Sequence, residues 1–344
     1  MCCSLKESEK YVCAGYRGKG EILMETSPFF SVLVPVYNQK GKMDNCISSL
    51  KKQTFRDFEV IFVDDGSTDG SSDMLQAFCA ENTGFSMLRH EHNSSLAAAR
   101  ITAMKHAAGK YIFLLDSDDE IEPDALEKLH GSLAASPVDV LYFGIRREPA
   151  GIILLPARAD DLTTAVLNGS IHPAAWKNCY SAATVRKALS RIEPFYCNMG
   201  EDTFFSVVLF TCAESFGYLD EPLYVYYAGG MSSASGTANV RGIEKNLESV
   251  KASGRKTLEY VEKYAPEYKT LVAEAAVRME KFILYQYIWV ETDWRIIYDV
   301  LKIFAADEYR DIFLWGCTEV LKAKILLGEG KKVRVTPNLE FVEE

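Results

Sequence analysis

Nine cysteines occur in the 344 residues, but none stands in a Cys-x-x-Cys pair and their number is odd. Zinc sites and redox pairs need that short spacing, and a disulfide framework needs an even set. Free thiols in a reducing compartment, the cytoplasm, are therefore expected. The five histidines show no metal-ligand spacing either. Positive charge is also short, with 38 Lys and Arg against 48 Asp and Glu, a formal net charge of -10. That deficit argues against nucleic acid, whose phosphates need a basic face. No apolar run reaches the roughly 18 residues that span a bilayer; the nearest candidate, residues 282–290, is interrupted by Gln286. The first twenty-odd residues are polar and lack a continuous apolar stretch, so no secretory leader is expected, and Met1 and Met24 both stand as candidate starts. Glycine-rich phosphate loops are missing as well. After the first apolar segment the chain reads Tyr37-Asn38-Gln39-Lys40-Gly41-Lys42 where a dinucleotide fold would show Gly-x-Gly-x-x-Gly, and no Gly-x-x-x-x-Gly-Lys-Ser/Thr occurs. A bound diphosphate would have to be held by a cation and side chains.

What is present is a large apolar fraction, 48%, with 12% aromatic residues, enough for a substantial core. Residues 29–36 and 58–63 read as buried strands, residues 86–88 as a short one, and residues 110–115 and 138–143 as two more. Between them Met43, Ile47 and Leu50, then Met74, Leu75, Phe78 and Cys79, then the alanine-rich residues 96–108, fall at helical spacing. Gly109 is placed to cap the last of these in the left-handed region. The rhythm β-α-β-α-β-α-β-α-β implies parallel pairing with right-handed crossovers, hence an α/β fold with a doubly wound, mostly parallel sheet. Ligands of such sheets bind beyond the carboxyl ends of the strands. Tyr37, Asp64, Asp65, Asp116 and Asp118 should gather at that rim.

The stretch that carries most chemistry is Lys110-Tyr111-Ile112-Phe113-Leu114-Leu115-Asp116-Ser117-Asp118-Asp119. Asp116 and Asp118 alternate around Ser117 where the chain leaves the strand, so both can turn to one hard cation, Mg²⁺ or Mn²⁺, and the cation can hold phosphate. The plainer alternative is that Asp118 or Asp119 caps a helix over residues 120–133. A second acid pair, Glu201-Asp202, precedes an apolar segment read as a buried helix over residues 203–210, where an acid also complements the helix dipole. Trp176-Lys177-Asn178 lies between the two.

Several stretches together resemble glycosyltransferase family two, with its GT-A nucleotide-sugar fold: Ser31-Val32-Leu33-Val34-Pro35-Val36-Tyr37-Asn38, Gln53-Thr54-Phe55, Val63-Asp64-Asp65-Gly66-Ser67-Thr68-Asp69, Ala98-Ala99-Arg100, Asp116-Ser117-Asp118-Asp119 with Pro123-Asp124, and Gly200-Glu201-Asp202. Glu221-Pro222-Leu223-Tyr224-Val225-Tyr226-Tyr227 resembles the segment that closes the domain in many bacterial members. The resemblance implies that Pro35 and Tyr37 border a base, that Asp64 and Asp65 line the nucleotide site with Asp65 accepting a uracil imide proton, and that Arg100 helps hold the nucleotide. It further implies Asp116 and Ser117 at the ribose, Asp118 with Asp116 on the metal, Asp202 as general base and Glu201 in support. One departure is visible: Leu96-Ala97 and Ile101 flank the Ala-Ala-Arg triplet where many relatives carry glycine and asparagine.

On this reading residues 1–27 are a poorly defined N-terminal segment, residues 28–238 a GT-A domain and residues 239–344 a C-terminal helical region. The implied activity is metal-dependent inverting transfer of a sugar from a nucleotide donor, UDP-linked, to a hydroxyl of a glycan or lipid-linked acceptor, building a bacterial-type surface glycan from the cytoplasmic side. The alternatives are a non-catalytic nucleotide-sugar binding module and a metal-dependent nucleotidyl or phosphoryl transferase. Near the end Lys322, Lys324, Lys331, Lys332 and Arg334 cluster beside apolar helices. Such clusters either bind anionic lipid, giving peripheral contact with the inner face of the membrane, or are solvated lysines on a packed helix.

Overall fold

Four strands, three of them wholly or mostly buried, set the frame in the computed structural model, which describes residues 27–227, 240–290, 310–335 and 341–343. They are β1 (Phe30–Val36), β2 (Phe58–Asp64), β3 (Phe85–Arg89) and β4 (Tyr111–Leu114), adjacent in the order β3-β2-β1-β4 and all parallel. Apolar residues on both sides of a strand suit a sheet covered on both faces. Helices α1 (Asp44–Lys51), α2 (Ser71–Glu81) and α3 (Leu96–His106) make the connections. Parallel pairing puts the carboxyl ends of all four strands on one edge, with Val36 opposite Asp64 and Leu33 opposite Leu114.

Beyond β4 the sheet is mixed. The segment expected as the next strand is β6 (Val140–Glu148), but its neighbours are β8 (Asn178–Ser181), antiparallel, and β9 (Phe216–Tyr227), parallel, with a short hairpin partner β7 (Ile152–Leu154). Strand β8 stands between β4 and β6, antiparallel to both. Four residues, Asn-Cys-Tyr-Ser, carry too little alternation to announce a strand. The two-residue β5 (Glu120–Ile121) pairs with β9, so the helix expected from residue 120 starts later, as α4 (Ala125–Ala135), and neither Asp118 nor Asp119 caps it.

The chain divides into two compact units. One comprises Met1–Arg158, Ala174–Tyr196 and Leu209–Gly230, and the other Ala159–Pro173, Cys197–Val208 and Met231–Glu344. The first holds the nine-stranded sheet with α4 and α6 (Ala182–Leu189). In the second, α5 (Leu162–Leu167), α8 (Val240–Tyr264), α9 (Lys269–Val290) and α10 (Arg310–Gly328) give the expected helical character, and the short β10 (Val333–Val335) pairs with β11 (Phe341–Glu343). Leu247, Val250, Tyr260 and Val261 of α8 are buried, and Pro266 opens a 3-10 turn between α8 and α9. Helix α7 (Glu201–Cys212) begins in the second unit and ends in the first. Residues 1–26, Trp294 and residues 296–304, and the side chains of Lys324 and Arg334, lie outside the described residues.

Gly109 meets a different need from the one expected. Helix α3 ends on an extended residue, Ala107, and a Cβ at Gly109 would stand 2.5 Å from the backbone nitrogen of Ser31. Close backbone approach is what excludes a side chain there.

Candidate functional site

The loops leaving β1 and β2 are joined by side-chain hydrogen bonds. The Asn38 backbone N–H donates to Ser67 Oγ at 2.9 Å, Thr68 N–H donates to Asn38 Oδ1 at 2.9 Å, and Gln39 N–H donates to Ser71 Oγ at 2.9 Å. Asn38 takes φ 52, a left-handed conformation that asparagine tolerates better than most residues. Lys40 N–H donates to Asp69 Oδ2 at 2.9 Å. Burial pushes the Asp69 carboxyl up, but its donors Ser71 and Lys40 outweigh this and hold it below the usual range. The small polar residues after Asp65 thus fasten two loops across the rim. Pro35 lies buried within β1, and Tyr37 just beyond it is 39% exposed.

Asp64 and Asp65 have distinct surroundings. Asp64 is fully buried, with Oδ1 accepting from Ser67 N–H at 3.2 Å and Oδ2 lying 3.3 Å from Arg89 Nε. Its carboxylate holds the turn. Asp65 is 2% exposed: Oδ1 accepts from Ser94 N–H at 2.8 Å and lies 2.7 Å from His90 Nδ1, while Oδ2 accepts from Ser95 N–H at 2.9 Å. Of about four acceptor positions on a carboxylate, three are filled, leaving roughly one. His90 is itself fixed on its other side, with Nε2 3.0 Å from Thr102 Oγ1. Gly66 completes this turn at φ +72, and a Cβ there would stand 2.7 Å from the His92 carbonyl carbon. Only glycine lets the segment after β3 pass close enough to give its amides to Asp65.

The acidic turn after β4 sits beside these loops because β4 pairs with β1. Leu115 N–H donates to Leu33 O at 3.0 Å, and the chain then turns through Asp119 N–H to Asp116 O at 3.1 Å. Arg100, fully buried on α3, donates to Asp116 Oδ1 at 2.8 Å. Ser117 is buried between the acids. The Tyr224 hydroxyl donates to Asp119 Oδ2 at 2.7 Å and accepts from Asp116 N–H at 3.1 Å, while Tyr227 N–H donates to Asp119 Oδ1 at 2.9 Å. Tyr224 is clamped by Trp176, whose ring centroid lies 4.5 Å away, and Trp176 also stacks on Tyr226 at 5.3 Å. Trp176 is therefore packed among these rings, the commoner use of the residue.

Within this turn Asp116 is paired with Arg100, while Asp118 and Asp119 remain crowded by like charge. Burial, then the neighbouring Asp116, pushes Asp118 up to about 6, against a smaller opposing effect of Lys42. Burial and Asp116 likewise push Asp119 up to about 8. Beneath them the Cys46 thiol is driven well above its usual range by burial and then by Asp119, Asp118 and Asp116. A divalent cation is the kind of group that would relieve such crowding. Among the described residues no group of three or more acidic, histidine or cysteine side chains is placed to hold a metal by itself, so a cation here would draw the rest of its shell from substrate and water. Mg²⁺ and its relatives are commonly held by one or two carboxylates, with substrate phosphates and water completing the shell. Asp118 and Asp116 would supply the protein's share.

Glu201 and Asp202 belong to the second unit and open α7. Glu201 is buried and Asp202 partly exposed. The approach to the helix is fastened by α8: Ser249 Oγ accepts from Asn198 N–H at 2.8 Å and Met199 N–H at 2.9 Å, and Ser253 Oγ donates to Gly200 O at 2.6 Å. The Cys197 thiol is pushed up to about 12 by burial, then by Glu201, with Asp202 adding less.

Comparison with known proteins bears on this arrangement directly. Residues 31–162, which run from β1 through the rim loops and the acidic turn, match the family model described as glycosyl transferase family 2. They form a glycosyltransferase family 2 domain. Bacillus subtilis EpsH is 30% identical over 214 residues, 59% of this chain and 61% of its own. Streptococcus pneumoniae glycosyltransferase GlyA is 28% identical over 214 residues, covering 57% of this chain and 30% of GlyA. The chain thus spans less than two thirds of the length of either relative. Among solved structures, residues 1–349 of S. aureus TarS, in complex with UDP-GlcNAc, superpose with a TM-score of 0.54 at 17% identity, covering 92% of this chain and 96% of that one. At that identity the likeness carries the fold alone, and the fold is the GT-A type.

Within the first unit three supporting side chains are not announced by the sequence. Tyr224 stands in the sequence only as part of a closing segment, yet its hydroxyl ties Asp116 to Asp119. His90 has no metal-ligand spacing in the sequence, yet it touches Asp65. Gln53 belongs to a matched motif but had no role: its Nε2 donates to Glu122 O at 2.7 Å and its Oε1 accepts from Leu126 N–H at 3.1 Å, binding the end of α1 to the start of α4. The usable signal was polar type in an apolar setting: Tyr224 and Gln53 are fully buried, and buried polar groups are there to be hydrogen-bonded.

Proposed function

We propose that this protein transfers a sugar, with inversion, from a UDP-linked donor to a hydroxyl of a glycan or lipid-linked acceptor. The observation that carries the reading is the acidic turn of Asp116 and Asp118 at the carboxyl edge of β4, next to the loops bearing Tyr37 and Asp65, in a family 2 domain. TarS of the same fold was crystallised with UDP-GlcNAc and with UDP, which supports a uridine nucleotide here. Pro35 and Tyr37 border the base, and the remaining acceptor position of Asp65 takes the imide proton. Asp64 holds the turn that presents Asp65. Asp116 and Ser117 face the ribose, with Arg100 orienting Asp116. Mg²⁺ or Mn²⁺ on Asp118 and Asp116 supplies the positive charge that the diphosphate leaving group needs.

Asp202 is assigned as the general base and Glu201 as its support. An inverting transfer needs a group that removes the acceptor hydroxyl proton as that oxygen attacks the anomeric carbon, and a partly exposed carboxylate at a helix start can do so. No described helix is long and apolar enough to cross a membrane. The test is hydrolysis and transfer across a panel of UDP-sugars with and without Mn²⁺. Release of UDP that requires the metal is the expected result. Tight binding without turnover would indicate a binding module, and release of a nucleoside monophosphate would indicate phosphoryl or nucleotidyl chemistry.

A further inference from the structure

Residues 149–157 read Pro-Ala-Gly-Ile-Ile-Leu-Leu-Pro-Ala, nine consecutive positions without a polar side chain. They form the tip and returning strand of the β6–β7 hairpin in the first unit, and all except Pro156 are exposed. Ile152, Ile153, Leu154 and Leu155 are 47%, 54%, 44% and 55% exposed. Single exposed apolar residues are ordinary, but a contiguous cluster marks a contact surface. Successive strand residues point to opposite faces, so this strand is apolar and uncovered on both. We propose that the hairpin docks the protein on an anionic lipid bilayer.

Two observations favour a bilayer over a second protein chain. Pairing of β7 with a partner strand would satisfy its edge and leave both apolar faces in need of cover, whereas an apolar medium covers both. The charge around the hairpin also fits: Arg147 and Arg158 bracket the uncharged run, and among the described residues Arg147 has no ion-pair partner. Arg158 pairs with Asp220 at the hairpin base at 2.9 Å. Glu148, the one acid between Ile145 and Arg158, is turned back onto Arg146. An uncharged tip with cations behind it matches the order of acyl chain and anionic headgroup, and each cation near such a surface adds attraction. The C-terminal lysines are the weaker candidates, because Lys322 pairs with Glu319, and Lys331 with both Glu329 and Glu343.

The proposal stands apart from the assigned chemistry and is tested without it. The full chain is floated with vesicles of phosphatidylcholine alone and of phosphatidylcholine with phosphatidylglycerol, and compared with Ile153→Glu/Leu154→Glu and with Arg147→Ala. Near-ultraviolet dichroism and melting temperature check that both variants stay folded, as expected for exposed positions. The expected result is binding to the anionic vesicles that falls about tenfold or more in the double variant and less in Arg147→Ala, with weak binding to the neutral ones. No vesicle binding by the natural sequence, or equal binding by the double variant, would overturn the proposal. A dimer by light scattering that the double variant dissociates, without vesicle binding, would also overturn it and assign the surface to a second copy.

Discussion

Replacing Tyr224 by phenylalanine removes one oxygen and tests whether the acidic turn is held from below. The ring's stacking on Trp176 and Phe113 is retained, since only the hydroxyl goes. What is lost is the 2.7 Å bond to Asp119 Oδ2 and the 3.1 Å bond from Asp116 N–H. A buried polar group left without its partner costs about 1–3 kcal/mol. Asp119 keeps its bond from Tyr227 N–H, so the expected loss is about 2 kcal/mol. For a unit of this size that lowers the melting temperature by roughly 4–8 °C. Because Asp116 and Asp118 share the turn, Mn²⁺-dependent stabilisation by UDP should shrink as well. Scanning calorimetry with and without Mn²⁺ and UDP reads both effects. A Tyr224→Phe protein that melts with the natural one and gains as much from Mn²⁺ and UDP would refute the reasoning.

Three other substitutions probe separate parts of the structure. Gly66→Ala places a methyl 2.7 Å from the His92 carbonyl carbon at φ +72, and the left-handed conformation alone costs about 1–2 kcal/mol. UDP binding by calorimetry should weaken about tenfold or more as the Ser94 and Ser95 amides move from Asp65; unchanged affinity would show that this turn does not shape the site. In Asp139, burial raises the carboxyl, but donors from Glu214, Ser181 and Ser215 outweigh it and hold it below its usual range. The stability that Asp139 gives over Asp139→Asn, about 1–3 kcal/mol, should hold above pH of about 4 and vanish as pH falls through the lowered folded value; urea melts at pH 7 and 3 check the sign. Asp202→Asn should lower turnover by roughly 10²–10⁴ with donor binding intact, and steady-state kinetics beside calorimetry separate the two.

The parallel half of the sheet was legible because β1, β2 and β4 are apolar runs that end abruptly in Asn38, Asp64-Asp65 and Asp116, a contrast that marks both the strand and its edge. The helical pattern of α8 was legible from Leu247, Val250, Leu258 and Val261, of which all but the half-buried Leu258 are buried. The mixed half was not. Strand β8 is four residues with no alternation, and β5 is two residues that look like the start of a helix until β9 pairs with them. The same limit applies to the site. Acids announce themselves by type, so Asp65, Asp116 and Asp118 stood out, whereas the groups that orient them come from distant segments. Tyr224 meets Asp119 across 105 positions and Ser95 meets Asp65 across 30, and no local pattern records such a pairing. Asp64 and Asp65 look equivalent in sequence; their different surroundings arise only when Arg89 and the segment from His90 to Ser95 fold over them.

The decisive measurement is calorimetric titration of UDP into the natural protein and into Asp118→Asn, each with and without Mn²⁺. The expected result is binding to the natural protein that tightens strongly with Mn²⁺ and, in the variant, loses that dependence while the metal-free affinity stays close to its natural value. Equal Mn²⁺ dependence in the two proteins, or no UDP binding by the natural one, would contradict a cation-bridged diphosphate at this turn.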